Sequence, residues 1–190
     1  PAIRASIATA DTTQSGSAEH LALVAEHDPI ADSIALQRVA GWIQKHISPL
    51  VAIETLDKRL WAGQAMLQPD TLLCDLSGVT HLFDDESGIL SATHRCLRSC
   101  GLNAKLAIAD NAAAAWAHAH YNPRADFISR SLADDLQTLS VNALRIEPEV
   151  KHTLDRLGIE TIDALFRLPR SGLARRLGPA LVNRIAEVLG

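Results

Sequence analysis

Thr71-Leu72-Leu73-Cys74-Asp75-Leu76 is a run rich in apolar residues, closed by the turn pair Ser77-Gly78, and it reads as a strand buried in a sheet. On its C-terminal side, Asp84-Asp85-Glu86 put acids at a helix start, where the helix dipole favours negative charge. Ile89, Cys96, Leu97 and Cys100 are expected on that helix's inner face, and Gly101 ends it. Leu102, Ala104, Leu106 and Ile108 then alternate with Asn103, Lys105 and Ala107 in the period of a strand. Asp110 is the expected cap of an alanine-rich helix over residues 111 to about 120.

On the N-terminal side, residues 50–54 read as another strand, and a helix precedes it. That helix opens with the cap Asp28 and Pro29, carries Leu36, Val39, Ala40, Ile43 and Ile47 on one stripe, and stops at Ser48-Pro49. Residues 21–25 are the expected first strand, whereas Leu60, Trp61, Gly63 and Met66 fall in a stretch that is either hairpin or loop. The order strand, helix, strand, strand, helix, strand, helix is the split βαβ, ferredoxin-like alternation of an α+β fold. After a polar link over residues 121–130 the chain is expected to be all helical. Four short helices are set off there by Pro148, Gly158, the cap Thr161, Pro169 and Gly178-Pro179. The predicted division is a loop or mobile end over residues 1–17, an α+β part over 18–125, and a helical part over 126–190.

Composition narrows the class. With 190 residues, 47% hydrophobic and 21% charged, the chain can bury a core and is not disordered, and no apolar run is long enough to span a membrane. Cys74, Cys96 and Cys100 make no disulfide scaffold, which fits reduced thiols in the cytoplasm. With Pro1 first and no signal segment, the chain reads as a piece of something longer. From Arg145 onward there are eight Lys and Arg against six Asp and Glu, a net of +2, leaving ten against sixteen, a net of −6. Contact with nucleic acid must therefore be local.

The helical part holds the most informative pattern, Leu157-Gly158-Ile159-Glu160-Thr161, a helix end followed at once by a capped helix. It has the form of a helix-hairpin-helix, in which the Gly158 and Ile159 backbone and the helix start at Thr161 would meet a DNA phosphate. Arg156, Arg170, Arg175 and Arg176, with Lys151 and Arg167, are the cations within reach. The same letters also describe a Schellman helix end. Asp70, Asp75, Asp84, Asp85 and Asp110 lie near strand ends, where a two-metal site would need carboxylates, but caps and turns account for most of them. Cys96, Cys100 and His94 lack a fourth metal ligand, and His118 and His120 point to different helix faces. There is no Walker A loop, G-x-G-x-x-G or G-x-S-x-G, and no metal or cofactor is expected.

Residues 69–83, Pro-Asp-Thr-Leu-Leu-Cys-Asp-Leu-Ser-Gly-Val-Thr-His-Leu-Phe, resemble the palm segment of the Y-family (UmuC/DinB-like) translesion DNA polymerases, in particular their ImuB branch. Ser48-Pro49-Leu50-Val51-Ala52-Ile53-Glu54, the stretch over residues 107–117, and the region from Leu144 to Gly190 resemble the preceding strand, the following helix and the thumb. The resemblance implies a ferredoxin-like palm followed by a helical thumb with a helix-hairpin-helix. It also implies three losses. An Asp-Glu pair of active members becomes Asp70-Thr71, leaving Asp70 as a vestigial metal candidate, and two lysines become Ala112 and Trp116. The first acidic strand is expected before Pro1, or absent. By resemblance the chain has no catalytic residue and acts as a non-enzymatic adaptor in the SOS response to DNA damage. It would bind DNA through its backbone and join a RecA-like protein, the sliding clamp and an error-prone C-family polymerase at the nucleoid. A divergent active polymerase, or a helix-hairpin-helix module on an unrelated α/β domain, are the competing expectations.

Overall fold

The middle strand of the main sheet is one that local sequence does not announce. In the computed structural model, which describes residues 4–9, 28–55, 58–61, 64–67 and 69–190, β1 (Arg4–Thr9) runs antiparallel between two later strands. These are β5 (Thr71–Asp75) and β6 (Ala104–Ala109), so that Arg4 lies opposite both Asp75 and Ala109. This corrects the expected loop over residues 1–17 where it covers residues 4–9, and it puts a first strand, one without an acid, in the chain itself. Arg-Ala-Ser-Ile-Ala-Thr has weak strand propensity by itself; its extended state comes from backbone ladders on both sides, which only the folded sheet supplies. Residues 21–25, the strand expected instead, lie outside the described residues.

β2 (Leu50–Ile53) pairs antiparallel with β5, giving the order β2-β5-β1-β6 with antiparallel neighbours throughout, the split βαβ arrangement. The ambiguous stretch before β5 is a separate hairpin of β3 (Lys58–Trp61) and β4 (Gln64–Leu67). α1 (Pro29–His46) starts where expected, with Asp28 Oδ1 accepting from the Ile30 and Ala31 amides at 3.0 and 3.1 Å. Together with α2 (Glu86–Ser99) it covers one face of the sheet, burying Ile43, Ile47, Ile89 and Leu97 against Leu72, Cys74, Leu106 and Ile108. The inner stripe of α2 is Ile89, Thr93 and Leu97, spaced by four; Cys96 stands at its shoulder and Cys100 is exposed, contrary to expectation.

α3 (Ala112–Tyr121) is capped by Asn111, whose Oδ1 accepts from the Ala114 amide at 2.8 Å, not by Asp110 as expected. The segment read as a polar link forms β7 (Asp126–Ile128), parallel to β6, because extended backbone there completes the open edge of β6. The sheet therefore continues past the expected boundary at residue 125. Five helices follow: α4 (Leu132–Gln137), α5 (Pro148–Arg156), α6 (Ile162–Phe166), α7 (Arg170–Leu177) and α8 (Pro179–Leu189). They share one apolar core with the alanines of α3. No helix among the described residues is long and apolar enough to cross a membrane.

Candidate functional site

Six side chains from four elements or their borders meet where the sheet, α3 and the helical region join. Thr71, the first residue of β5, is fully buried, with its hydroxyl 2.8 Å from Asp70 Oδ1 and 2.9 Å from His120 Nε2. A hydroxyl has one proton. Donated to Asp70, it leaves His120 Nε2 as the donor into the threonine oxygen. The His120 ring stacks on Trp116, centroids 4.1 Å apart, and the Arg145 guanidinium lies 3.7 Å from the centroid of the same indole. Arg145 also pairs with Glu54, its Nη1 donating to Oε1 at 3.2 Å and its Nη2 lying 3.0 Å from Oε2 as a charge contact. Glu54 is 5% exposed at the end of β2, so this is a largely buried ion pair, carrying one hydrogen bond, between residues 91 positions apart. Arg145 itself follows a 3-10 turn, Val141–Leu144, and has a left-handed φ of 52°.

Beside this cluster lies a cavity of about 170 Å³ whose walls include Leu73, Ala112, Trp116, Leu144 and Glu187. Two positions where the resemblance expects lysines are thus an alanine wall and a buried indole, and the position expected to hold a glutamate is a buried threonine already bonded to histidine. Among the described residues no group of three or more His, Cys, Asp and Glu is placed to hold a metal ion. Sequence reasoning singled out Thr71, Trp116 and Asp70, set His120 aside as unable to chelate with His118, and gave Glu54 and Arg145 no role. The one local hint was Glu54, an acid ending an apolar strand.

The hairpin residues have a different fate. Gly158 takes φ 68°, the Ile159 amide donates to the Leu154 carbonyl at 3.0 Å, and the Gly158 amide donates to Asp155 at 3.1 Å. This is the Schellman geometry, and Ile159 is buried in the helical core. These two amides are therefore spent inside the protein. Thr161 caps α6, its hydroxyl oxygen accepting from the Ala164 amide at 3.3 Å. Of the cations, Lys151 pairs with Asp155 and Arg167 with Asp163, each at 2.7 Å. Arg156 ends α5, Arg175 and Arg176 lie in the last turn of α7, and all three are exposed, with no ion-pair partner among the described residues. Arg170 is the first residue of α7.

His118, on the opposite side of α3 from His120, stacks on Phe127 at 4.2 Å and has its Nδ1 3.2 Å from Asn122 Nδ2, leaving Nε2 buried without a partner. Burial pulls its pKa down from 6.5 to about 4, against a smaller upward pull from Asp135. The unfolded chain then binds a proton that the folded one refuses. Stability contributed here is complete above about pH 6.5, falls as pH drops toward 4, and levels below that. The expected loss is roughly 3 kcal/mol. Urea unfolding of native protein and His118→Phe across this range checks it, since the variant should lose that part of the slope.

No family model matches the chain. Over 181 residues, 91% of its length, it is 35% identical to Protein ImuB of Caulobacter vibrioides strain NA1000 / CB15N, and identically so to that of strain ATCC 19089 / CIP 103742 / CB 15. Over most of its length the chain is similar to ImuB. It spans 36% of the length of these curated relatives. Among solved structures, the chain is similar to a DinB family error-prone DNA polymerase from Sulfolobus solfataricus, with a TM-score of 0.67 and 13% identity over 98% of this chain and 66% of that one. It is also similar to Dbh DNA polymerase in an insertion ternary complex, with a TM-score of 0.62 and 16% identity over 85% of this chain and 44% of that one. The fold is that of the Y-family DNA polymerases.

Proposed function

We propose that this chain belongs to a non-catalytic, polymerase-shaped adaptor in damage-induced translesion synthesis. The observation that carries the reading is the closed network at the polymerase-type site: Thr71 bonded to His120, Trp116 stacked by His120 and Arg145, and Arg145 held by Glu54. Nucleotidyl transfer is positioning and charge neutralisation, by carboxylates on two metal ions and cations on a triphosphate. Here an uncharged hydroxyl stands for one carboxylate, a methyl and an indole stand for two cations, and the nearest guanidinium is engaged with a glutamate. The scaffold then serves recruitment. DNA is held by phosphate contacts from Arg156, Arg170, Arg175 and Arg176, and a RecA-like protein, the sliding clamp and an error-prone C-family polymerase are brought to the lesion, at the nucleoid in the cytoplasm.

The test is primer extension with magnesium beside duplex binding, on the intact parent protein. Binding without extension is the expected result; metal-dependent extension would make the protein an active polymerase. Replacing Arg175 and Arg176 together by alanine should weaken binding and lower the slope of log affinity against log salt by about two. An unchanged slope would remove both from the DNA contact.

A further inference from the structure

The helical region meets the sheet-bearing part of the molecule mainly through methyl groups. In their shared core, the buried members from the sheet side are Ala109, Ala114, Ala115 and Ala117, whereas the helical region contributes large side chains from Leu136 to Val188. An alanine face buries area but has low ridges, so it holds two bodies together without fixing how one is turned on the other. Orientation must come from directional contacts. Arg130–Glu86 crosses this boundary at 2.9 Å, but Arg130 is largely exposed and such pairs constrain little. Asn111 Nδ2 donates to the Val188 carbonyl at 3.0 Å, tying the end of α8. Among the described residues the other strong tie is Arg145, largely buried, paired with Glu54 and laid over Trp116. A non-glycine residue in left-handed backbone carries a conformational cost that the surroundings must hold in place, and Arg145 is such a residue.

We propose that Glu54, Arg145 and Trp116 form a latch that sets the angle at which the helical region docks on α3, and that without it this region shears over the alanine face. The latch joins the rim of the sheet to the turn that introduces α5, so its release would carry the exposed arginines of α5 and α7 with it.

Region-resolved amide hydrogen exchange on the full chain tests this. In Glu54→Gln, amides of α8 and residues 141–145 should exchange about tenfold faster or more, while those of α1, α2 and β5 keep their native rates. Because Glu54→Gln takes the carboxylate charge away from a largely buried guanidinium, the double variant Glu54→Leu/Arg145→Met supplies a second arm that removes both charges of the latch. Local acceleration in the double variant, with native rates in α1, α2 and β5, supports the latch. Equal acceleration in all elements of both variants would make the pair a general stabiliser, and unchanged rates would mean that packing alone sets the docking; either result overturns the proposal.

Discussion

Thr71→Glu is expected to destabilise the protein by about 3 kcal/mol and to restore no primer extension. Position 71 is fully buried, and its small hydroxyl fits between Asp70 and His120 at 2.8 and 2.9 Å. A glutamate there brings a second carboxylate against that of Asp70, in space filled by the imidazole and the indole behind it. Like charges this close cannot both ionise cheaply, so the new acid either stays protonated or opens the site. Even a carboxylate that survived would face Ala112 and Trp116 rather than two lysines. Urea unfolding gives the stability and extension on a primed template gives the activity. A variant as stable as the native chain that extends a primer would end the non-catalytic reading.

Gly88→Ala is expected to cost about 3 kcal/mol, through backbone rather than side-chain crowding. Gly88 lies in the first turn of α2, where its amide donates to the Asp85 cap at 2.8 Å, and a Cβ built there would fall 1.8 Å from the Phe83 carbonyl oxygen. That oxygen already accepts from the Asp85 amide at 2.8 Å, so neither partner can retreat without breaking the turn between β5 and α2. Gly41→Ala is the control. It lies in α1 with open space around it, and the same change should stabilise by about 1 kcal/mol. Thermal or urea unfolding of both variants reads the contrast; similar effects at the two positions would refute the steric account.

What was readable in the chain follows from how local each signal is. The caps at Asp28 and Thr161, the strand at Thr71 and the helix end at Gly158 rest on neighbours a few residues away, and they stand in the structure. β1 and β7 owe their extended state to partners far along the chain, and their own letters carry little of it. The candidate site divides the same way. Thr71 and Trp116 stand out because a family pattern marks their positions. Glu54 and Arg145 are ordinary charged residues until the fold closes 91 positions between them and removes the water. Gly158 shows a further limit: one string of residues is compatible with both a phosphate-binding hairpin and a plain helix stop.

The central position of β1 also governs how this chain can be made. Its two neighbours end at Asp75 and Ala109, so during synthesis one edge of that strand stays unmatched until roughly 65 more residues have been added and the other until about a hundred have. Pairings of such long sequence separation raise contact order and slow folding. Nascent chains of this protein therefore spend their longest interval with an open strand available to chaperones and to one another.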